Sequence, residues 1–331
     1  MLRIVYAGSP EIASIPLKGL LEDGTHRIVA VLTNPPSRKG RHGDLVPTPV
    51  EQVARDFCAQ NQLEEKPLII TPEHLDSEVR EKIAELKPDI LVCFAYGKIF
   101  GPKFMELFPM GGINLHPSLL PKYRGCAPVP ATLLNMDEKT GFTIQRISQE
   151  MDAGNILLQT CFEIKKTDNS ETLLNQAAQE GSSLFLKVLN QLENGTFTET
   201  EQDSTQATYC RLLEKEDGKI DWNESAEKIN AKIRAFYPWP GAFTVANGNI
   251  LKIHRACVFE CDINAVLADA AKTSGKISIP GTVLSSDKKY GILVLTGDGI
   301  LAVQKLQWQT RKAMEWKDFL NGSKGFIGSN I

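Results

Sequence analysis

Asn114 and His116 stand two residues apart at the end of the apolar run "GGINLHP", and prolines follow at 117 and 121. In an extended strand alternate side chains project to one face, so this amide and this imidazole are expected in the same pocket. The prolines stiffen the chain beyond them. Asparagine supplies an amide donor, and histidine a group whose charge changes near neutral pH. The missing acid is offered by "ISQEMDAGNIL" (147–157), with Asp152 in a Met-Asp-Ala-Gly turn and Glu150 as its rival. The glycine at 154 allows a tight loop that brings a carboxylate to a ligand. No serine or cysteine nucleophile accompanies the set, because Ser118 leaves a proline turn without a base at sensible spacing. Such a set suits acyl transfer in which the substrate is itself the nucleophile. Asn114 and protonated His116 would stabilise an oxyanion, while Asp152 would hold the imidazole and favour its charged form.

The elements that must position these groups alternate. "LRIVYAG" (2–8) reads as a buried parallel strand. A helix follows over 9–24, with Ser9 as N-cap and Pro10 at its first position. Further strands are expected at 26–34, at "KPLIITP", at 90–97 and at "GGINLHP", with helices at "VEQVARDFCAQN", "SEVREKIAELKPD" and "PKFMELFP" between them. This alternation implies right-handed crossovers and an α/β, doubly wound, mostly parallel sheet. In such sheets ligands bind beyond the carboxyl ends of the strands, which is where His116 falls. The polar stretch 193–210 then reads as a linker or surface strand. Beyond it short strand candidates recur with Asn247-Gly248 and "TGDG" (296–299) as hairpin turns, the pattern of a small β-barrel of OB-like kind.

A length of 331 residues with 42% hydrophobic and 23% charged residues is that of a globular chain of about two domains. The net charge of −3 excludes a global polycation. From Lys215 onward, however, 16 Lys and Arg stand against 12 Asp and Glu, and before it 21 stand against 28. A mildly basic C-terminal third hints at an anionic partner. Seven scattered cysteines without a C-x-x-C pair argue against a disulfide framework and a zinc knuckle, and no metal is expected. The opening "MLRIVYAGSPEIAS" reads as a strand rather than a leader, and no apolar run approaches the roughly 18 residues of a membrane span, so a cytoplasmic location is expected. "YAGSPEIAS" has one glycine and a proline where a dinucleotide-binding turn needs G-x-G-x-x-G, which excludes NAD.

"GGINLHPSLLPKYRGCAPV" followed by "TGFTIQRISQEMDAGNILLQ" resembles the formyltransferases that use 10-formyltetrahydrofolate. "RIVYAGSPEIA", "TNPPSRKGRHGDLVPTPV" and "KIDWNESAEKINAKIRAFYPWPGAF" are similar to the branch of that family acting on methionyl-tRNA, and the likeness runs over essentially the whole chain. The resemblance implies a formyltransferase-type fold with Asn114, His116 and Asp152 as the catalytic trio. It also implies folate contacts from Ser118, Leu119, Leu120 and Pro121, and from the loop Phe94, Ala95, Tyr96 and Gly97. The co-substrate would be 10-formyltetrahydrofolate, with methionyl initiator tRNA as partner.

By the same resemblance Arg38, Lys39 and Arg41 lie in an insertion that wedges into the acceptor stem, although His42, Gly43 and Asp44 stand where further basic residues are expected. Arg234, Lys252 and Arg255 would form a basic face on the barrel, and Arg311 and Lys312 a further phosphate contact. "AFYPWPGAF" (235–243) reads as core and turn. No role is assigned to 262–280. The expected division is a catalytic domain over 1–195, a linker over 196–212 and a tRNA-gripping barrel over 213–331, in a monomer. Two rivals remain: the same donor with another acceptor (an aminosugar nucleotide, or water), and a non-catalytic tRNA-binding protein on the same scaffold. The insertion, "IDW" and "YPWPG" disfavour the first, and the intact trio the second.

Overall fold

Runs of apolar residues with no polar interruption can be covered on both faces, and they become the inner strands of a sheet. The computed structural model describes residues 1–38, 43–61, 66–260, 262–274 and 279–331, so Lys39, Arg41, Cys261 and part of 262–280 lie outside the described residues. Two compact units result, one of Met1–Pro128, Lys139–Glu163 and Leu173–Cys210, the other of Val129–Glu138, Ile164–Thr172 and Arg211–Ile331.

In the first unit five strands pair in parallel: β1 Arg3–Ala7, β2 Arg27–Leu32, β3 Leu68–Ile70, β4 Ile90–Cys93 and β5 Gly112–His116. Two more add antiparallel at one edge, β6 Thr143–Arg146 on β5 and β7 Ile156–Gln159 on β6. The order across the sheet is β7-β6-β5-β4-β1-β2-β3. The chain winds outward from β1 through β3 and then returns to the other side of β1 at β4. This doubly wound arrangement places its switch point between β1 and β4, and the carboxyl ends of β4 and β5 lead into the 94–97 and 117–121 segments. The sequence pattern indicated the five parallel strands; β6 and β7, whose connection holds Asp152, it did not.

One face of this sheet packs Ile4, Tyr6, Val92, Ile113 and Leu115 under Ala13, Leu17 and Leu20 of the helix Glu11–Asp23 and Phe185, Val188 and Leu189 of the helix Ser170–Glu193. The other packs Val5, Val29 and Leu91 under Val79 and Ile83 of the helix Ser77–Glu85. Ser9 does not cap the first helix. Pro10 occupies the N-cap without a side-chain hydrogen bond, and Ser9 Oγ instead accepts the Asn34 backbone N–H at 3.1 Å. Proline has no N–H to lose at a helix start, so the serine is free to tie the first loop to the second.

The second unit holds antiparallel strands, β8 Ala242–Ala246, β9 Asn249–Val258, β10 Val283–Asp287, β11 Gly291–Leu295 and β12 Ile300–Trp308, in the order β8-β9-β12-β11-β10. This is the strand set of a small barrel-type domain. Asn247 and Gly248 both take positive φ, 51° and 76°, as the tight turn joining β8 to β9 requires. Ile229 and Ile233 of the helix Ala226–Ala235 seal the core with Leu251, Val294 and Leu301. The unassigned segment begins as a helix, Ile263–Ser274, and its Val266 and Leu267 pack against a cluster that includes Leu284 and Leu293.

Candidate active site

The period-two geometry of β5 sends Asn114 and His116 to the same side, flanked by Cys93 on β4 and Gln145 on β6, both paired with Asn114. Asn114 is half-buried, and its side-chain amide makes no hydrogen bond among the described residues. His116 is only 4% exposed, with Nε2 at 2.9 Å from the Tyr123 carbonyl oxygen and Nδ1 at 3.5 Å from Asp152 Oδ2. A carbonyl can only accept, so the first contact is a hydrogen bond when Nε2 carries a proton. The lone pair of the neutral ring then sits on Nδ1, facing Asp152. Burial pushes the His116 imidazole below its ordinary value, while the Asp152 charge and the Tyr123 carbonyl pull it back up.

Asp152 sits in the turn between β6 and β7 with φ at 53°, in the left-handed region that a non-glycine residue rarely adopts. Gly154 makes the turn possible. A Cβ there would lie 1.9 Å from the Arg146 carbonyl oxygen. Both carboxylate oxygens of Asp152 accept from N–H groups, Oδ1 from Gln145 Nε2 at 2.7 Å and Oδ2 from the Gly125 backbone at 2.9 Å. Glu150, the rival acid, is 68% exposed at its side chain and faces away from His116, accepting from Tyr209 Oη at 3.2 Å with Arg124 Nη1 3.6 Å away.

Ser118 is fully buried, its Oγ donating to the Lys122 carbonyl at 2.7 Å while its own carbonyl accepts from Thr143 Oγ1 at 2.7 Å. Leu120 is buried, whereas Leu119 and Pro121 are half-buried. The 118–121 turn therefore offers a ligand its Leu119 and Pro121 surfaces, and Ser118 holds the turn's shape. In the 94–97 loop Phe94 and Tyr96 point inward, and Ala95 and Gly97 are exposed with φ of 51° and 82°. Tyr96 Oη is buried without a partner among the described residues, and burial pushes this phenol well up. Ile99 just beyond is 80% exposed, an apolar surface at the mouth of this loop.

Four polar residues behind the trio carry no local signal. Arg124, Gln145 and Gln202 are buried at 1%, 1% and 6% exposure, and Tyr209 pairs with Arg124 in a short parallel ladder. Gln202 and Tyr209 come from the polar stretch 193–210, which also bonds β7 through Thr200 and Ile156.

Residues 2–189 match the formyl transferase family, and residues 212–324 match the formyl transferase C-terminal domain. A methionyl-tRNA formyltransferase of Treponema denticola is 44% identical over 98% of each chain, and one of Treponema pallidum 43% identical over 98% of this chain and 97% of its own. The chain belongs to the methionyl-tRNA formyltransferase family. Among solved structures, HypX from Aquifex aeolicus in complex with tetrahydrofolic acid superposes with a TM-score of 0.62 at 16% identity. That match covers 100% of this chain and 49% of the longer HypX chain, and it shows a shared fold.

For a methionyl-tRNA formyltransferase family member the exposed cations are of interest, and the structure sorts them. Arg38 lies in a short exposed ladder with Leu45. Lys39 and Arg41 are outside the described residues. Arg234 is half-buried, donates from Nη1 to the Asp168 carbonyl at 3.0 Å, and is pushed below its ordinary value by burial. Arg255 is bound to Glu315 at 2.7 Å and to Gln304 at 3.1 Å. Lys252 lines a cavity of about 150 Å³ with Lys215, Phe243, Gln307 and Thr310. Arg311 and Lys312 are exposed, without a side-chain partner among the described residues. Among the described residues no cluster of His, Cys, Asp and Glu could hold a metal, and no helix is long and apolar enough to cross a membrane.

Proposed function

We infer that this chain transfers the formyl group of 10-formyltetrahydrofolate to the α-amine of methionyl initiator tRNA, as a cytoplasmic monomer with its chemistry in 1–195 and its tRNA grip in 213–331, joined by 196–212. The observation that carries this reading is an unoccupied donor beside an acid–imidazole pair whose neighbouring hydroxyl and thiol, Ser118 and Cys93, are not available as nucleophiles. The Asn114 amide has no partner among the described residues, Ser118 Oγ is spent on Lys122, and burial pushes the Cys93 thiol up to about 12, where it stays protonated. The nucleophile then comes from the substrate.

The amine nitrogen forms its bond to the formyl carbon, and the carbonyl electron pair moves to oxygen. The Asn114 amide stabilises that oxyanion, joined by the imidazolium charge of His116 once Nδ1 has taken the amine's proton. The amine gives up a proton, for which His116 Nδ1, backed by Asp152, is the accepting site. The pair on oxygen then re-forms the carbonyl as the carbon–N10 bond breaks, and N10 leaves with the proton that His116 Nδ1 gives back. The 118–121 and 94–97 segments border the folate, and Lys252, Arg311 and Lys312 face tRNA phosphates. The test is formyl transfer from 10-formyltetrahydrofolate to methionylated initiator tRNA, run beside elongator methionyl-tRNA and a no-acceptor control. Formylation confined to the initiator supports the reading. Folate turnover without formylated tRNA overturns it in favour of water or another amine.

A further inference from the structure

A buried guanidinium is costly unless its donors are used, and Arg124 is 1% exposed. Its nearest acid, Glu150, is solvent-facing and 3.6 Å away. Its Nε points inward and its Nη1 outward to exposed Tyr209. Nε donates to Gln202 Oε1 at 3.0 Å and Nη1 to Tyr209 Oη at 3.2 Å. Arginine can only donate, so Gln202 must present its oxygen to Arg124 and its NH₂ to the opposite side. There Gln202 Nε2 meets the carbonyls of Asp152 at 2.9 Å and Gly154 at 2.7 Å, and Gln145 Oε1 at 3.3 Å. The Gln145 amide is turned in the same sense, oxygen to Gln202 and Nε2 to Asp152 Oδ1 at 2.7 Å.

We propose that Arg124, Gln202 and Gln145 form a one-way positioning relay that clamps the left-handed turn at Asp152 and presents its carboxylate, as acceptor, to His116. This rests on the roles given above to Asp152 and His116. Gln202 bonds carbonyls on either side of Ala153, the two peptides that a relaxed turn would swing apart. Gln145 then fixes the carboxylate rotation. None of the three touches the reacting atoms. Reversing any one amide would set carbonyl against carbonyl or amide against amide, so the always-charged arginine sets the direction for the whole chain. The polar stretch that supplies Gln202 is thereby a wall of the active site.

The groups facing Asp152 are His116, the Cys93 and Cys210 thiols and, through the relay, Arg124. Burial pushes Cys93 up to about 12 and Cys210 up to about 11, so both thiols stay protonated, and His116, held below its ordinary value by burial, is the group whose titration reports on Asp152. Two variants of the full chain test the relay, each checked by thermal unfolding. Gln202→Leu removes the clamp, and kcat is expected to fall about 100-fold with little change in either KM, as for a small misplacement of a reacting group. The His116 imidazole, followed by NMR and assigned by its loss in His116→Asn, is expected to titrate at lower pH as Asp152 loosens.

Gln145→Glu is isosteric and sets a second carboxyl against Asp152. Its activity relative to wild type is expected to be lowest at alkaline pH and to recover on acidification, when the introduced carboxyl takes a proton and donates again. An unchanged kcat in Gln202→Leu overturns the relay. So does a lost activity with no acid recovery in Gln145→Glu, which would make the cluster structural only. If Gln202→Leu does not fold, Gln145→Glu decides alone. The imidazole titration needs no acceptor, so a wild-type protein that fails to formylate tRNA would sink the proposed function and still leave the relay tested.

Discussion

The Nδ1 nitrogen of His116 and the Oδ2 oxygen of Asp152 face each other at 3.5 Å, beyond a strong direct hydrogen bond, while the ring's other nitrogen is committed to Tyr123. A neutral imidazole held this way keeps its lone pair beside a carboxylate. The pair is poised to take up one proton, which would sit between them and draw them together.

Replacing either member of β5's pair is expected to stop chemistry before binding. Asn114→Ala should cost on the order of 100- to 1,000-fold in turnover, the usual loss for one oxyanion donor. His116→Ala should abolish transfer. Single-turnover formylation measures the loss, and tRNA affinity measured alongside should stay close to wild type.

Acid should destabilise the fold. Burial lowers the values of His26, His116 and His254 from the ordinary 6.5 in the folded protein. The unfolded chain then binds more protons, so stability from these groups is full above about 6.5 and is lost as pH falls through the folded values. Melting temperatures at pH 7.5 and pH 5 should show the lower value at pH 5. A melting temperature that rises on acidification would contradict this. The acid limb of kcat should have its midpoint below 6.5, because Nδ1 must be empty to accept a proton.

Gly154→Ala is expected to displace the Asp152 turn, since its Cβ would meet the Arg146 carbonyl at 1.9 Å and backbone cannot rotate away as a side chain can. The cost should be about 1–3 kcal/mol of stability, the usual overpacking range. Activity should fall more than the folded fraction does, and chemical denaturation beside the transfer assay separates the two.

Charge reversal should distinguish bound cations from unpaired ones. Arg311→Glu or Lys312→Glu is expected to raise the tRNA KM and to lower the slope of log affinity against log salt by about one for each phosphate no longer neutralised. The folate KM should not move. Arg255→Glu breaks an existing pair with Glu315 and is expected to change the salt slope less. Equal slopes for all three variants would contradict the distinction.

What is legible in one dimension is whatever depends on neighbours along the chain. Strands covered on both faces read as apolar runs, which makes β1 to β5 readable. The alternation of a strand puts Asn114 and His116 on one side before any fold is known. Asn247-Gly248 marks its hairpin by its tolerance of positive φ, and Gly154 marks a tight loop.

Distance in space is not encoded that way. Along the chain Gly154 favours Asp152 over its rival Glu150 but brings neither to His116. Only the antiparallel addition of β6 and β7 brings one of them to His116 and leaves the other at the surface with Arg124 and Tyr209. Arg234 and Arg255 read as free cations and are engaged with Asp168 and Glu315. Gln145 and Gln202 carry no signal along the chain and are buried. A side chain's periodicity is set by the backbone that carries it, but its hydrogen-bond partner is set by whichever distant segment the fold lays beside it. The strands and the two groups they project follow from the order of residues alone. Which acid completes the site, and which buried amides hold it there, is decided by the packing of segments far apart in the chain.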